Sequence, residues 1–131
     1  MGIHYNDTGV VELYRCFHAD DSLELGDEGT VLAGTILARK ANGKLAVFAP
    51  AADDGTEVPV AVLPYEVEFD AAGAKYVRPI VGGTVRAERL VIHEDGDGSN
   101  VTPAVLDKLR ATSIVPVSVA ELAKYDTPDS V

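Results

Sequence analysis

From Thr35 onward the chain alternates short apolar runs with clusters of turn formers. Residues 35–39 are β-prone, and Asn42-Gly43 follows, a hairpin signal because both residues tolerate positive φ. Residues 44–48 return as a second strand. The acidic turn Asp53-Asp54-Gly55-Thr56 then leads into a third at 58–63. The stretch 43–63, GKLAVFAPAADDGTEVPVAVL, therefore reads as a hairpin. Pro64 ends its second strand or marks an edge, since proline has no N–H to give a ladder. Residues 65–69, Tyr-Glu-Val-Glu-Phe, keep a period of two with the glutamates facing water. Ala72-Gly73 turns the chain. Residues 75–81 and 84–92 read as the last body strands, separated by Gly82-Gly83.

The pattern changes after the polar loop HEDGDGSN. Thr102-Pro103 is a helix start, a capping hydroxyl followed by proline at the first helical position. Val105, Leu106 and Leu109 supply its apolar stripe. Residues 114–117 read as a short strand. Ser118-Val119-Ala120-Glu121 fits a capping box for a brief helix to about Tyr125. The sum is a mainly β (α+β with little helix) domain over residues 29–125, with one or two short helices near its C-terminus. Residues 1–28 look different: an apolar, aromatic segment, then the acidic, Gly-bounded stretch DDSLELGDEG. They read as an extended N-terminal arm and acidic linker. Residues 126–131 read as a flexible tail.

Composition narrows the function. The chain has 131 residues, enough for one domain with a sizeable core, and 47% hydrophobic content excludes a disordered chain. A formal charge of -10 repels phosphate backbones and anionic bilayers, so neither nucleic acid nor membrane is an expected partner. With Cys16 as the one cysteine, an intrachain disulfide is impossible. The start, MGIHYNDTGVVELYRC, has no basic segment followed by a long apolar run, so neither a signal peptide nor a span is expected there.

Candidate chemistry is sparse. The loop from Asp95 resembles a calcium loop, but its sixth position is Asn100 and its twelfth Leu106, where glycine and a bidentate glutamate are needed. Cys16 and His18, two apart on an extended segment, would share a face as a thiol–imidazole pair or one corner of a zinc site, but no second Cys/His pair accompanies them. Phosphate-binding, dinucleotide-binding, zincin and nucleophile-elbow motifs are absent from the sequence. No catalytic residue, cofactor site or metal site is assigned.

The order of the pieces carries more. GTILARK, a turn, GKLAVF, the acidic turn DDGT, VPVAVL, then GGTVRAERLVI, a polar loop with a short helix, and SIVPVSV resemble, over about residues 29–119, the lambda-type head decoration proteins of tailed phages. The resemblance implies a compact β-clip-like fold and a structural, non-enzymatic role. It implies a capsid cement protein, made in the host cytoplasm, that adds as homotrimers to the outside of the expanded head at threefold positions. There it binds the major capsid protein and holds the shell against packaged DNA. It also implies an N-terminal arm that extends a sheet of the capsid protein. The β-prone residues Tyr5, Thr8, Val10, Val11, Leu13, Tyr14 and Phe17 fit such strand addition. The same physics equally lets this segment pair with its own domain as an edge strand. A small β-clip-type hydrolase, a tail or head-completion component, and a secreted binding module are the rival classes.

Overall fold

In chain order the strands are β1 (Glu12–His18), β2 (Asp21–Leu25), β3 (Gly29–Val31), β4 (Ile36–Arg39), β5 (Leu45–Val47), β6 (Pro59–Val62), β7 (Val67–Phe69), β8 (Gly73–Val77), β9 (Ile80–Arg86) and β10 (Ile114–Val117). Among the described residues, a 3₁₀ turn at Ala87–Arg89 and one helix, α1 (Pro103–Arg110), accompany the strands. The computed structural model describes residues 11–118. Of these, 45% are strand and 10% helical, arranged as a curled half-barrel sheet. The mainly β, β-clip-like expectation holds, as does the short helix near the C-terminal end. The second helix from Ser118 and the tail at 126–131 lie outside the described residues, apart from Ser118 itself.

The curl comes from a long two-stranded ribbon. β1 runs into β2 through Ala19-Asp20, and β8 runs into β9 through Arg78-Pro79. β1 pairs antiparallel with β9, and β2 with β8. Ala19 N–H donates to the Pro79 carbonyl (3.2 Å) and ties the two bends together. The upper half docks on β6 through β9, and the lower half docks on β5 through β2. β4 fills the space between, giving the order β1-β9-β6-β4-β5-β2-β8, with β10 parallel to β9 and a separate β3-β7 pair.

β4 explains why the sheet has two cores. Ile36, Leu37 and Ala38 are all fully buried, so successive residues bury on opposite faces. Ile36 joins Phe48, Val62, Ile80, Leu90 and Leu109 in one cluster; Leu37 joins Leu23, Leu45, Leu63 and Phe69 in the other. A strand buried on both faces belongs in the middle of a sheet, and β4 takes partners at both edges. This corrects the expected 43–63 hairpin: β5 and β6 do not pair with each other but flank β4. The two turns themselves form as read. Gly43 has φ 90 and Asn42 Oδ1 accepts from Lys44 N–H (3.0 Å). Asp54 Oδ1 accepts from both the Thr56 hydroxyl (2.6 Å) and its N–H (3.1 Å).

Two other boundaries differ from expectation. The linker predicted across DDSLELGDEG is strand β2 over Asp21–Leu25, with Leu23 fully buried between β5 and β8. Its charges are absorbed locally. Arg39 Nη2 lies 2.8 Å from Asp21, and Lys40 Nζ 2.6 Å from Glu24. The break predicted at Gly82-Gly83 falls instead at Arg78-Pro79, where proline interrupts the ladder. Gly82 and Gly83 lie inside β9 because β1 crosses them closely. A Cβ on Gly83, at φ 110, would stand 2.4 Å from the Arg15 carbonyl oxygen and 2.6 Å from Cys16 Cα. Glycine inside a strand marks close backbone approach as readily as a turn.

α1 forms as the sequence predicts. Thr102 Oγ1 accepts from Val105 N–H (3.4 Å), Pro103 opens the helix, and Val105 and Leu109 are buried. The helix lids the first core cluster, and Ile114 of β10 joins the same cluster.

Candidate functional site: the N-terminal edge strand

Of the seven arm residues singled out in the sequence, Tyr5, Thr8 and Val10 lie outside the described residues. The other four fall at or in β1, and the structure divides them. Val11 is buried, 2% exposed, and its carbonyl accepts from Arg86 N–H (2.9 Å). Its side chain is part of the core and is not available to a partner. Leu13 is half-buried. Tyr14 and Phe17 are 61% and 65% exposed, the strand's two large apolar groups in solvent.

β1 is an irregular strand. Its register on β9 shifts between Glu12 and Tyr14, between Tyr14 and Phe17, and between Phe17 and His18. Arg15 sits at φ 50, in the left-handed region that a non-glycine residue rarely occupies. Such bulges bend an edge strand and re-aim its side chains. Here they turn both aromatic rings outward. The Arg15 guanidinium stands 5.2 Å from the Tyr14 ring centroid, a cation–π contact that stiffens the exposed ring. Phe17 packs beside Gly82, where a Cβ would stand 3.5 Å from its Cδ2, an ordinary contact distance. Among the described residues β1 pairs with β9 alone, so its outer edge offers unpaired backbone groups.

Cys16 and His18 are not a catalytic pair. The Cys16 thiol donates to the Thr84 carbonyl (3.3 Å) across the ribbon, while His18 Nε2 lies 2.8 Å from Glu12 Oε2. Burial pushes the Cys16 thiol up, and the neighbouring Glu12 charge adds to it. A raised thiol pKa is the opposite of what a nucleophile needs. In the loop at Asp95, side chains satisfy one another. Asn100 Nδ2 donates to Asp95 Oδ2 (3.0 Å), and Asp97 Oδ1 accepts from Ser99 N–H (2.9 Å). Among the described residues no three His, Cys, Asp or Glu side chains group as a metal site. Nor is any helix there long and apolar enough to cross a membrane. An open groove of about 490 Å³ runs between Leu32, Glu66 and Arg89. No nucleophile with a base beside it lines that groove.

Against this geometry, a family model described as bacteriophage lambda head decoration protein D matches residues 18–114. The chain belongs to that family. The match spans β2 to α1 and ends at the first residue of β10, so it covers 29–114 of the 29–119 that the resemblance suggested and extends it back through β2. All of β1 before His18 lies ahead of it. Head decoration proteins are structural components of the phage head, which gives this chain a place on the capsid of the virion and sets it in a structural family rather than an enzyme family. No curated protein matches the chain at a significant level.

What sequence reading missed is a cluster at the ribbon bend. Tyr65, Tyr76, Arg78 and Asp20 meet there, although they come from three separate segments. The sequence offered little signal for it, since Tyr65 and Tyr76 sit in mixed apolar and charged runs like their neighbours.

Proposed function

We propose that the chain is a capsid cement protein. It binds as homotrimers at threefold positions on the outside of the expanded phage head and stabilises the shell against the pressure of packaged DNA. The observation that carries this reading is the family match across the half-barrel body. The architecture suits that role, since a rigid, two-cored platform carries a short edge strand with exposed aromatic side chains.

The capsid contact runs through the N-terminal segment. Residues from Tyr5 to Phe17 add a strand to an open sheet edge of the major capsid protein. Main-chain hydrogen bonds supply affinity, and Tyr14 and Phe17 supply fit. One edge strand is a small contact and association itself is entropically unfavourable, so single copies bind modestly. Three arms on one trimer offset that through avidity. A strongly acidic surface keeps the decorated particle soluble and free of nucleic acid.

Cryo-electron microscopy of expanded heads incubated with the purified chain tests the reading. Added density of trimer size at the threefold positions is the expected result. Heads that remain bare, or density at the fivefold or tail vertex instead, would overturn it.

A further inference from the structure

At the ribbon bend an open groove of about 350 Å³ lies between the end of β8 and the two ends of β1. Its size is within the range of small-molecule sites. Two tyrosine rings line it, Tyr65 41% and Tyr76 68% exposed. Both rings are held at their tips. The Tyr76 hydroxyl donates to Asp20 Oδ1 (2.8 Å), and the Tyr65 hydroxyl accepts from Arg78 N–H (2.7 Å). Arg78 Nε forms an ion pair with the same Asp20 Oδ1 at 3.0 Å. Glu12 and His18, paired at 2.8 Å, form the opposite wall.

We propose that this groove binds a neutral sugar ring. A sugar has two kinds of surface, a face of polarised C–H groups and a rim of hydroxyls that donate and accept. The electron-rich face of a tyrosine ring attracts the first. The second needs donors and acceptors side by side. The groove supplies both. In the wall, Glu12 Oε1 has no partner among the described residues and accepts. The Arg78 Nη groups and the Tyr65 O–H are left to donate. The tip hydrogen bonds fix the rings before the ligand arrives, so little side-chain entropy is lost on binding. An anionic ligand would meet Glu12, and a purely apolar one would leave the charged rim unpaired. The proposal does not rest on the decoration reading; because Glu12 and His18 also belong to β1, loading onto heads is read beside saccharide binding.

The test is an NMR titration of the full chain with N-acetylglucosamine, lactose and maltotriose. At least one should shift the Tyr65 and Tyr76 ring resonances saturably, with a Kd of about 1–10 mM. Tyr76→Ala, at an exposed position, should weaken that binding about tenfold or more while leaving the fold and head loading intact. Arg78→Ala should also weaken it. No saturable shift with any of the three saccharides would overturn the proposal, as would unchanged binding by Tyr76→Ala. Failure of Tyr76→Ala to load onto heads, without any saccharide response in the parent, would assign the groove to a protein contact instead.

Discussion

Two glycines decide how closely the backbone packs. Gly34 has φ 91, and a Cβ there would stand 1.9 Å from the Arg89 carbonyl oxygen. Gly34 also bridges the half-barrel, donating to the Leu63 carbonyl (2.7 Å) and accepting from Val91 N–H (2.9 Å). Gly34→Ala should therefore lower unfolding stability by about 3 kcal/mol, read from chemical denaturation. An unchanged midpoint would show that the close approach does not exist. Gly83 admits β1 on one side, and its N–H donates to the Ser113 carbonyl (3.1 Å) beside β10 on the other. Cys16 reports it: its raised pKa and partial burial predict iodoacetamide alkylation slower than a free thiol at pH 8, with the rate rising at higher pH than the usual thiol range. Gly83→Ala should speed that labelling by loosening β1, with a smaller effect on the global transition. Neither role was legible in the chain. Gly82-Gly83 looks the same whether glycine makes a turn or admits a crossing strand, and the crossing strand comes from the far end of the sequence.

At the scale of elements, legibility followed whether the signal was local. α1 was readable because its cap, its opening proline and its apolar stripe all lie within a few residues of one another. Thr102→Ala should cost about 1 kcal/mol, seen as a lowered midpoint with an unchanged denaturant slope. β2 was not readable as a strand. Its acidic composition resembles a linker until Arg39 and Lys40 are placed opposite it. These pairs matter because β2 joins β5 through a single backbone register pair, Leu23↔Leu45. The Arg39 hydrogen bond holds the Asp21 carboxyl below the usual range, and Lys40 does the same for Glu24. The sign follows from linkage. A depressed folded-state pKa contributes stability above the unfolded value of about 4, and that contribution is lost as pH falls through the folded value. Stability should drop on acidification below about pH 4. Arg39→Ala should remove about 1 kcal/mol or less at neutral pH and flatten that acid limb. An acid limb as steep as the parent's would contradict this clamp. The misread hairpin has the same origin. Local turn signals placed both turns correctly, but strand order depends on β4 being apolar on both faces, a property of the whole sheet.

The whole molecule is a half-barrel closed by one bent ribbon, and the family membership rests on that body. The order of the runs along the chain was enough to place the family. It was not enough to place the partner surface, because β1 divides its residues between core and solvent through bulges that periodicity does not encode. Val11 belongs inside, whereas Tyr14 and Phe17 face out. The central claim is that this outward pair, on an open sheet edge, anchors the chain to the phage shell. The most direct measurement is co-sedimentation of the purified chain with expanded, empty heads, beside a Tyr14→Ser/Phe17→Ser variant whose exposed substitutions leave both cores intact. The account predicts that the parent saturates at a fixed ratio to the major capsid protein and that the variant's affinity falls at least tenfold with its melting curve unchanged. Equal loading by both proteins would contradict the anchoring role of β1, and failure of the parent to load at all would contradict decoration itself.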